Sequence, residues 1–251
     1  MNSTVIAIRE IAAFDHDEAM AVAEVEYGRL LDTVDRLRPE DWARPTDCAG
    51  WDVKAILAHL LGMTERLGDP SGAARQNAAT AERVQATGAA RIDALTAIQV
   101  ETHSHLAPGE LAAALRTAVP GALAGRSATS VEQRATAYDP GPPFEGQWTL
   151  GYLFDTILTR DPWLHRVDIA RATGAPLLLT ADHDGRIIAD VVSEWARRHG
   201  QSFTLTLGGP AGGMFVSGQD GEPYELDAVE FCRVLSGRAV GAGLLTQEVP
   251  F

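Results

Sequence analysis

Residues 160–174, RDPWLHRVDIARATG, decide how this chain is read. They place Asp161, His165 and Asp168 at i, i+4 and i+7. A helix turns about 100° per residue, so this spacing stacks all three on one face. Two carboxylates and an imidazole in line form either a solvated polar stripe or part of a metal site. A metal site needs a partner from another helix, and His59 in AILAHLLG (55–62) is the candidate. Each residue also has a plainer reading. Pro162 is welcome at a first helical position, so Asp161 can cap a helix that restarts there. The alternative is a helix kinked at Pro162 with Asp161 pointing inward. His59 reads equally as a satisfied core histidine, and Asp168 and Arg166 as surface contacts.

Outward from this stretch, residues 15–38 show apolar positions at three- and four-residue gaps and predict a helix ending before Pro39. A loop with Trp42, Cys48 and Trp51 leads to a second helix, Asp52 to Leu67, with His59 beside its apolar face. The segment DPSGAARQNAAT (69–80) reads as a turn or loop, and the alanine-rich residues 80–106 and 108–124 as helices. YDPGPPFEGQW (138–148) reads as a loop. Thr149 then caps a helix running to Gly174, which suits a left-handed C-terminal position. Beyond it come a connector (175–179), a helix over 182–199, a hairpin built on Phe203, Leu205 and Leu207 followed by GGMFVSG, and a helix capped by Asp227. The expected class is therefore α+β, mainly α: a helical bundle over residues 1–178 and a small mixed α/β domain over 179–251.

At 251 residues the chain is long enough for these two bodies. Its net charge of −13, with Lys54 the only lysine, argues against nucleic acid or anionic membranes as partners. No apolar run approaches the roughly 18 residues of a membrane span, and the N-terminus lacks the pattern of a secretory signal. Cys48 and Cys232 make no disulfide framework, which fits a cytoplasmic setting. The many alanines and arginines match a GC-rich bacterial genome.

A catalytic zinc-like ion takes three protein ligands and keeps one position open. His59, Asp161 and His165 supply that number, and Asp168 can orient the site or a substrate. Other groups are weaker candidates. His103 and His105 fall on nearly opposite helix faces and read as solvent-exposed. Cys48 reads as packing, and the glycines around Pro210 lack the Lys-Ser/Thr of a phosphate loop.

PTDCAGWDVKAILAHLLG (45–62) and TRDPWLHRVDIARATG (159–174) together resemble the mycothiol-dependent maleylpyruvate isomerase family within the DinB-like superfamily. The resemblance covers roughly residues 15–175, with a C-terminal module like the sterol-carrier-like second domain of those proteins. It implies a four-helix bundle holding a divalent metal, commonly zinc, through His59, Asp161 and His165. Where the family has Glu, this chain has Asp161, one methylene shorter, so its backbone must lie closer to an ion. The resemblance further implies mycothiol, a small-molecule thiol, as cosubstrate. Metal coordination deprotonates the thiol for attack on an electrophilic substrate, giving isomerisation or S-transfer. Asp168 and Arg238, the latter as a carboxylate holder, are the candidate catalytic groups. Metal-assisted hydrolysis, or a non-catalytic two-domain binding protein, are the competing readings.

Overall fold

The computed structural model describes residues 5–144 and 146–251. The chain forms two compact units, one over His16–Pro176 and one that joins the described N-terminal residues to Leu177–Phe251. In order, strand β1 (Val5–Ala7) precedes helices α1 (His16–Val34), α2 (Val53–Gly68), α3 (Pro70–Thr87), α4 (Arg91–His103) and α5 (Pro108–Ser127). A short α6 (Val131–Arg134) and a two-residue strand pair, β2 (Ala137–Tyr138) with β3 (Trp148–Thr149), lead to a π-helical stretch over Tyr152–Ile157. That stretch runs into α7 (Leu158–Thr173). The class is α+β and mainly α, as the pattern of elements predicts.

In the helical unit, α2 packs against α4 and α5, and α1 against α5 and α7. Tyr27, Leu30, Ile56, Leu57, Leu60 and Leu115 are sealed from solvent at its centre. Sequence and structure differ at α3. Asp69-Pro70-Ser71-Gly72 looks like a turn, but the Asp69 carboxylate accepts from the N–H groups of Ser71 and Gly72 and Pro70 occupies the first turn. Asp as N-cap and Pro at N1 start a helix as readily as they make a turn. The long helix expected over 80–106 is broken at Gly88, whose φ of 70° closes α3 in the left-handed conformation. The loop expected over 138–148 is bounded by the β2–β3 pairing, and its residue 145 lies outside the described residues.

The helix carrying the decisive stretch has an irregular start. Thr149 accepts from the Tyr152 N–H, as expected of a cap. A π-helical turn follows, and Pro162 then sits in the interior of α7. Proline cannot donate to the carbonyl four residues back, which leaves Leu158 C=O without its helical donor. Arg126, buried on α5, supplies the missing N–H: its Nη1 donates to Leu158 O at 2.9 Å, and its Nη2 donates to Phe154 O and, at 2.8 Å, to Thr159 Oγ1. One guanidinium thus closes the backbone defect made by the π turn and Pro162. Burial pulls the Arg126 pKa down, and the Tyr27 and Asp155 groups partly offset this.

In the other unit, α8 (Asp184–His199) and α9 (Ala228–Leu235) accompany a four-stranded sheet with order β1-β5-β4-β6, where β4 is Phe203–Gly208, β5 Gly213–Ser217 and β6 Glu222–Asp227. The expected hairpin is β4–β5, antiparallel with Leu205 opposite Phe215. Asp227 caps α9 as read from the sequence. Trp195 of α8 is fully buried among Phe203 and Phe231, its indole N–H donating to Leu244 O at 3.0 Å. The parallel pairing of β1 with β5 puts Val5–Ala7 in this unit, although sequence order placed them with the bundle. Three residues of VIA are too short a run to show a period.

Removing Arg126 strands two or more buried acceptors, each worth about 1–3 kcal/mol when unsatisfied. Arg126→Ala is expected to destabilise the protein by about 3 kcal/mol, and Arg126→Lys to recover only part, since one ammonium does not span three acceptors. Chemical denaturation of the three proteins measures both.

Candidate metal centre

Helices α2 and α7 bring the three expected residues together. Asp161 Oδ1 lies 3.5 Å from His59 Nε2 and 3.5 Å from His165 Nε2. The ligand-type atoms of the three residues are all within 4.8 Å of one another. Both imidazoles are buried, while Asp161 retains 18 % exposure. Asp161 is neither a simple N-cap nor a surface charge, because α7 starts three residues earlier and Pro162 lies within it.

The outward-facing ring nitrogens are tied off. His59 Nδ1 is 2.8 Å from Gln99 Oε1, and His165 Nδ1 is 3.0 Å from Asp168 Oδ2. Each acceptor holds a proton on Nδ1, so Nε2 is the ring nitrogen turned toward Asp161, and it can bind an ion once any proton it shares with that carboxylate is displaced. Metal-binding histidines are characteristically oriented in this way by a carboxylate or carbonyl behind them. The donor set of two imidazole nitrogens and one carboxylate suits zinc or a similar divalent ion. On these grounds the residues fit the ion that the sequence led us to expect.

Asp168 is fully buried, as is Arg166, so neither makes the surface contacts that their polarity suggested. Arg166 forms a bidentate pair with Glu26 of α1, with Nε–Oε1 at 2.6 Å and Nη2–Oε2 at 2.9 Å. This clamps α1 to α7 one residue from His165. Cys48 was expected to be packing, yet its thiol donates to Asp168 Oδ2 at 3.3 Å and lies 3.9 Å from His165 Nδ1. Cys48, His165 and Asp168 are therefore a second close-set group sharing one imidazole. The loop that carries Cys48 turns through Trp51 N–H to Cys48 O, and it lays Trp51 beside both histidine rings at 5.2 and 6.2 Å.

Burial opposes charge on both members of the central pair, but their mutual attraction wins. The His165 imidazolium and hydrogen bonds from both histidines hold the Asp161 carboxyl well below the usual range. Asp161, with Asp168 and Cys48, raises His165 well above an ordinary imidazole.

Gln99 was not foreseen. Its only signal is position: Leu95, Gln99 and His103 follow at four-residue steps and are all buried, so an amide interrupts an inward stripe of α4. His103, expected in solvent, is buried with Nε2 3.1 Å from Glu65, whereas His105 is exposed. Neither belongs to the centre. Arg238 follows α9 in the other unit, half-buried, with its N–H donating to Arg233 O. The glycines around Pro210 form the β4–β5 turn.

Comparison with known proteins places the fold. Residues 23–170, more than half of the chain, match the mycothiol maleylpyruvate isomerase N-terminal domain. The chain belongs to this family. Two crystal structures share its fold. One is the mycothiol-dependent maleylpyruvate isomerase, at 15% identity with 97% of each chain covered and a TM-score of 0.58. The other is a histidine-to-alanine mutant of a mycothiol-dependent maleylpyruvate isomerase, at 14% identity with 90% of each chain covered and a TM-score of 0.58. No curated protein matches this chain in sequence. Among the described residues, no helix is long and apolar enough to cross a membrane.

A divalent ion entering this centre must displace the proton that Asp161 and Asp168 keep on His165. Its apparent affinity is therefore expected to rise by up to about tenfold per pH unit between about pH 6 and 8. Competition titrations with a chromophoric zinc chelator measure the slope, and a flat profile would show that no proton is exchanged.

Proposed function

We propose that this protein is a metal-dependent, mycothiol-dependent enzyme, an isomerase or S-transferase acting on a small electrophilic substrate. The observation that carries the reading is one carboxylate oxygen 3.5 Å from two Nε2 atoms whose Nδ1 partners are already fixed. Membership in the family supports the thiol. In this reading His59, Asp161 and His165 hold a divalent ion, most simply zinc. When bound, that ion makes a thiol at its open position more acidic, so that thiolate is present near neutral pH.

The remaining groups position rather than react. Asp168 is wholly enclosed and touches no substrate; it fixes the His165 ring and its tautomer. Trp51 walls one side of both imidazoles and also lines a hollow of about 440 Å³ with Pro45, Thr46 and Asp52. An apolar wall next to the thiol lowers the local dielectric and keeps competing water away from the thiolate. The thiolate adds to an electrophilic carbon of the substrate. Rotation and elimination then return the thiolate and give the cis–trans isomer, whereas protonation of the adduct carbanion by water keeps the C–S bond and gives S-transfer.

The purified protein is expected to turn over a Z-configured activated alkene, or an alkylating electrophile, with mycothiol and not in buffer alone. In His59→Ala the rate should fall at least about a hundredfold. Turnover without thiol would identify a hydrolase, and wild-type rates in His59→Ala would remove the centre from the chemistry.

A further inference from the structure

Behind His59 lies a chain of amides whose direction is set from one end. Gln76 Nε2 is 2.9 Å from Gly62 O. A backbone carbonyl only accepts, so this end of the Gln76 amide must be nitrogen and the other end oxygen. That oxygen is 3.1 Å from Gln99 Nε2, which also donates to Met63 Sδ at 3.0 Å. Gln99 Oε1 must then face His59, at 2.8 Å from Nδ1. An amide oxygen only accepts, so His59 carries its proton on Nδ1. The Gly62 carbonyl thereby dictates, through two amides, that Nδ1 of His59 is the donor and that Nε2 is the nitrogen turned toward Asp161.

Packing keeps the chain from turning over. Gln99 is 1% exposed, and a Cβ on Gly62 would sit 2.7 Å from both its Cβ and Cγ. Gly62 thus has two tasks, a carbonyl anchor and the space for Gln99 to approach α2. The far end of the chain is open: Gln76 lines a hollow of about 590 Å³ together with Thr64, Glu65, Asp69 and Arg75.

We infer that Gln99 is a positioning residue that locks His59 in the Nδ1–H tautomer, with Gln76 and the Gly62 carbonyl setting its polarity. The inference rests on the reading of His59 as a metal ligand, but tautomer and affinity are separate measurements. Long-range ¹H–¹⁵N correlation of the imidazoles at about pH 8 in metal-free protein is expected to show His59 protonated on Nδ1. In Gln99→Met, which keeps side-chain length and loses the acceptor, the Nε2–H form should become populated. Zinc or cobalt affinity should fall about 10–100-fold. Gln99→Glu keeps an acceptor and should keep both the tautomer and the affinity. Gln76→Leu removes only the polarity and should produce a smaller loss. Gly62→Ala, which displaces Gln99 without deleting a polar group, should weaken metal binding in the same direction. Circular dichroism confirms that each variant is folded. An unchanged tautomer in Gln99→Met, or unchanged affinity despite a changed tautomer, overturns the inference. Absence of metal binding in the wild type overturns the metal reading instead, and the tautomer in Gln99→Met then decides the role of Gln99 by itself.

Discussion

One carboxylate between two imidazoles is the constraint on which the helical unit depends. Asp161, buried on most sides, is tolerated as an anion only because His59 and His165 present Nε2 atoms to the same oxygen. Isolated burial of that charge would cost several kcal/mol. Two helices distant in sequence must therefore meet at a fixed height and rotation, and the rest of the unit can be understood as holding them there. The Glu26–Arg166 pair seats α7 against α1, one residue from His165. A buried pair of this kind adds little net stability over apolar packing, so its value is in register.

The way Asp161 is delivered is unusual for a helix. A π-helical turn precedes it and a proline follows it, and both disturb the backbone ladder that would otherwise set its direction. π turns recur at functional sites, where an extra residue per turn re-aims a side chain. In this chain Arg126 on α5 takes over the lost hydrogen bonds. The irregularity and the buried guanidinium form one local solution.

Much of this was legible in the sequence because it is periodic. The i, i+4, i+7 spacing of Asp161, His165 and Asp168 fixed their common face, and His59 adjoined an apolar stripe. Thr149, Asp227 and Gly174 marked helix ends by capping chemistry that is local. What was not legible depends on contacts distant along the chain. Asp69-Pro70 serves a turn and a helix start equally well, and β1 is too short to carry a period. Arg126, Glu26 and Gln99 look like ordinary members of polar or alanine-rich helices. Only the fold shows that each faces a buried partner. Cys48 and Trp51 sit in a loop, and nothing local to PTDCAGW states that it folds onto the histidines.

Two close-set ligand groups share His165: one through Nε2 with His59 and Asp161, the other through Nδ1 with Cys48 and Asp168. We propose that the ion takes the first and that the second serves as a supporting hydrogen-bond cluster. Anomalous diffraction from zinc-loaded crystals, recorded on both sides of the metal's absorption edge, distinguishes them most directly. One strong peak is expected within bonding distance, about 2.0–2.2 Å, of His59 Nε2, His165 Nε2 and an Asp161 oxygen if the first group holds the ion. A peak beside Cys48 and Asp168, or no peak between α2 and α7, would contradict it.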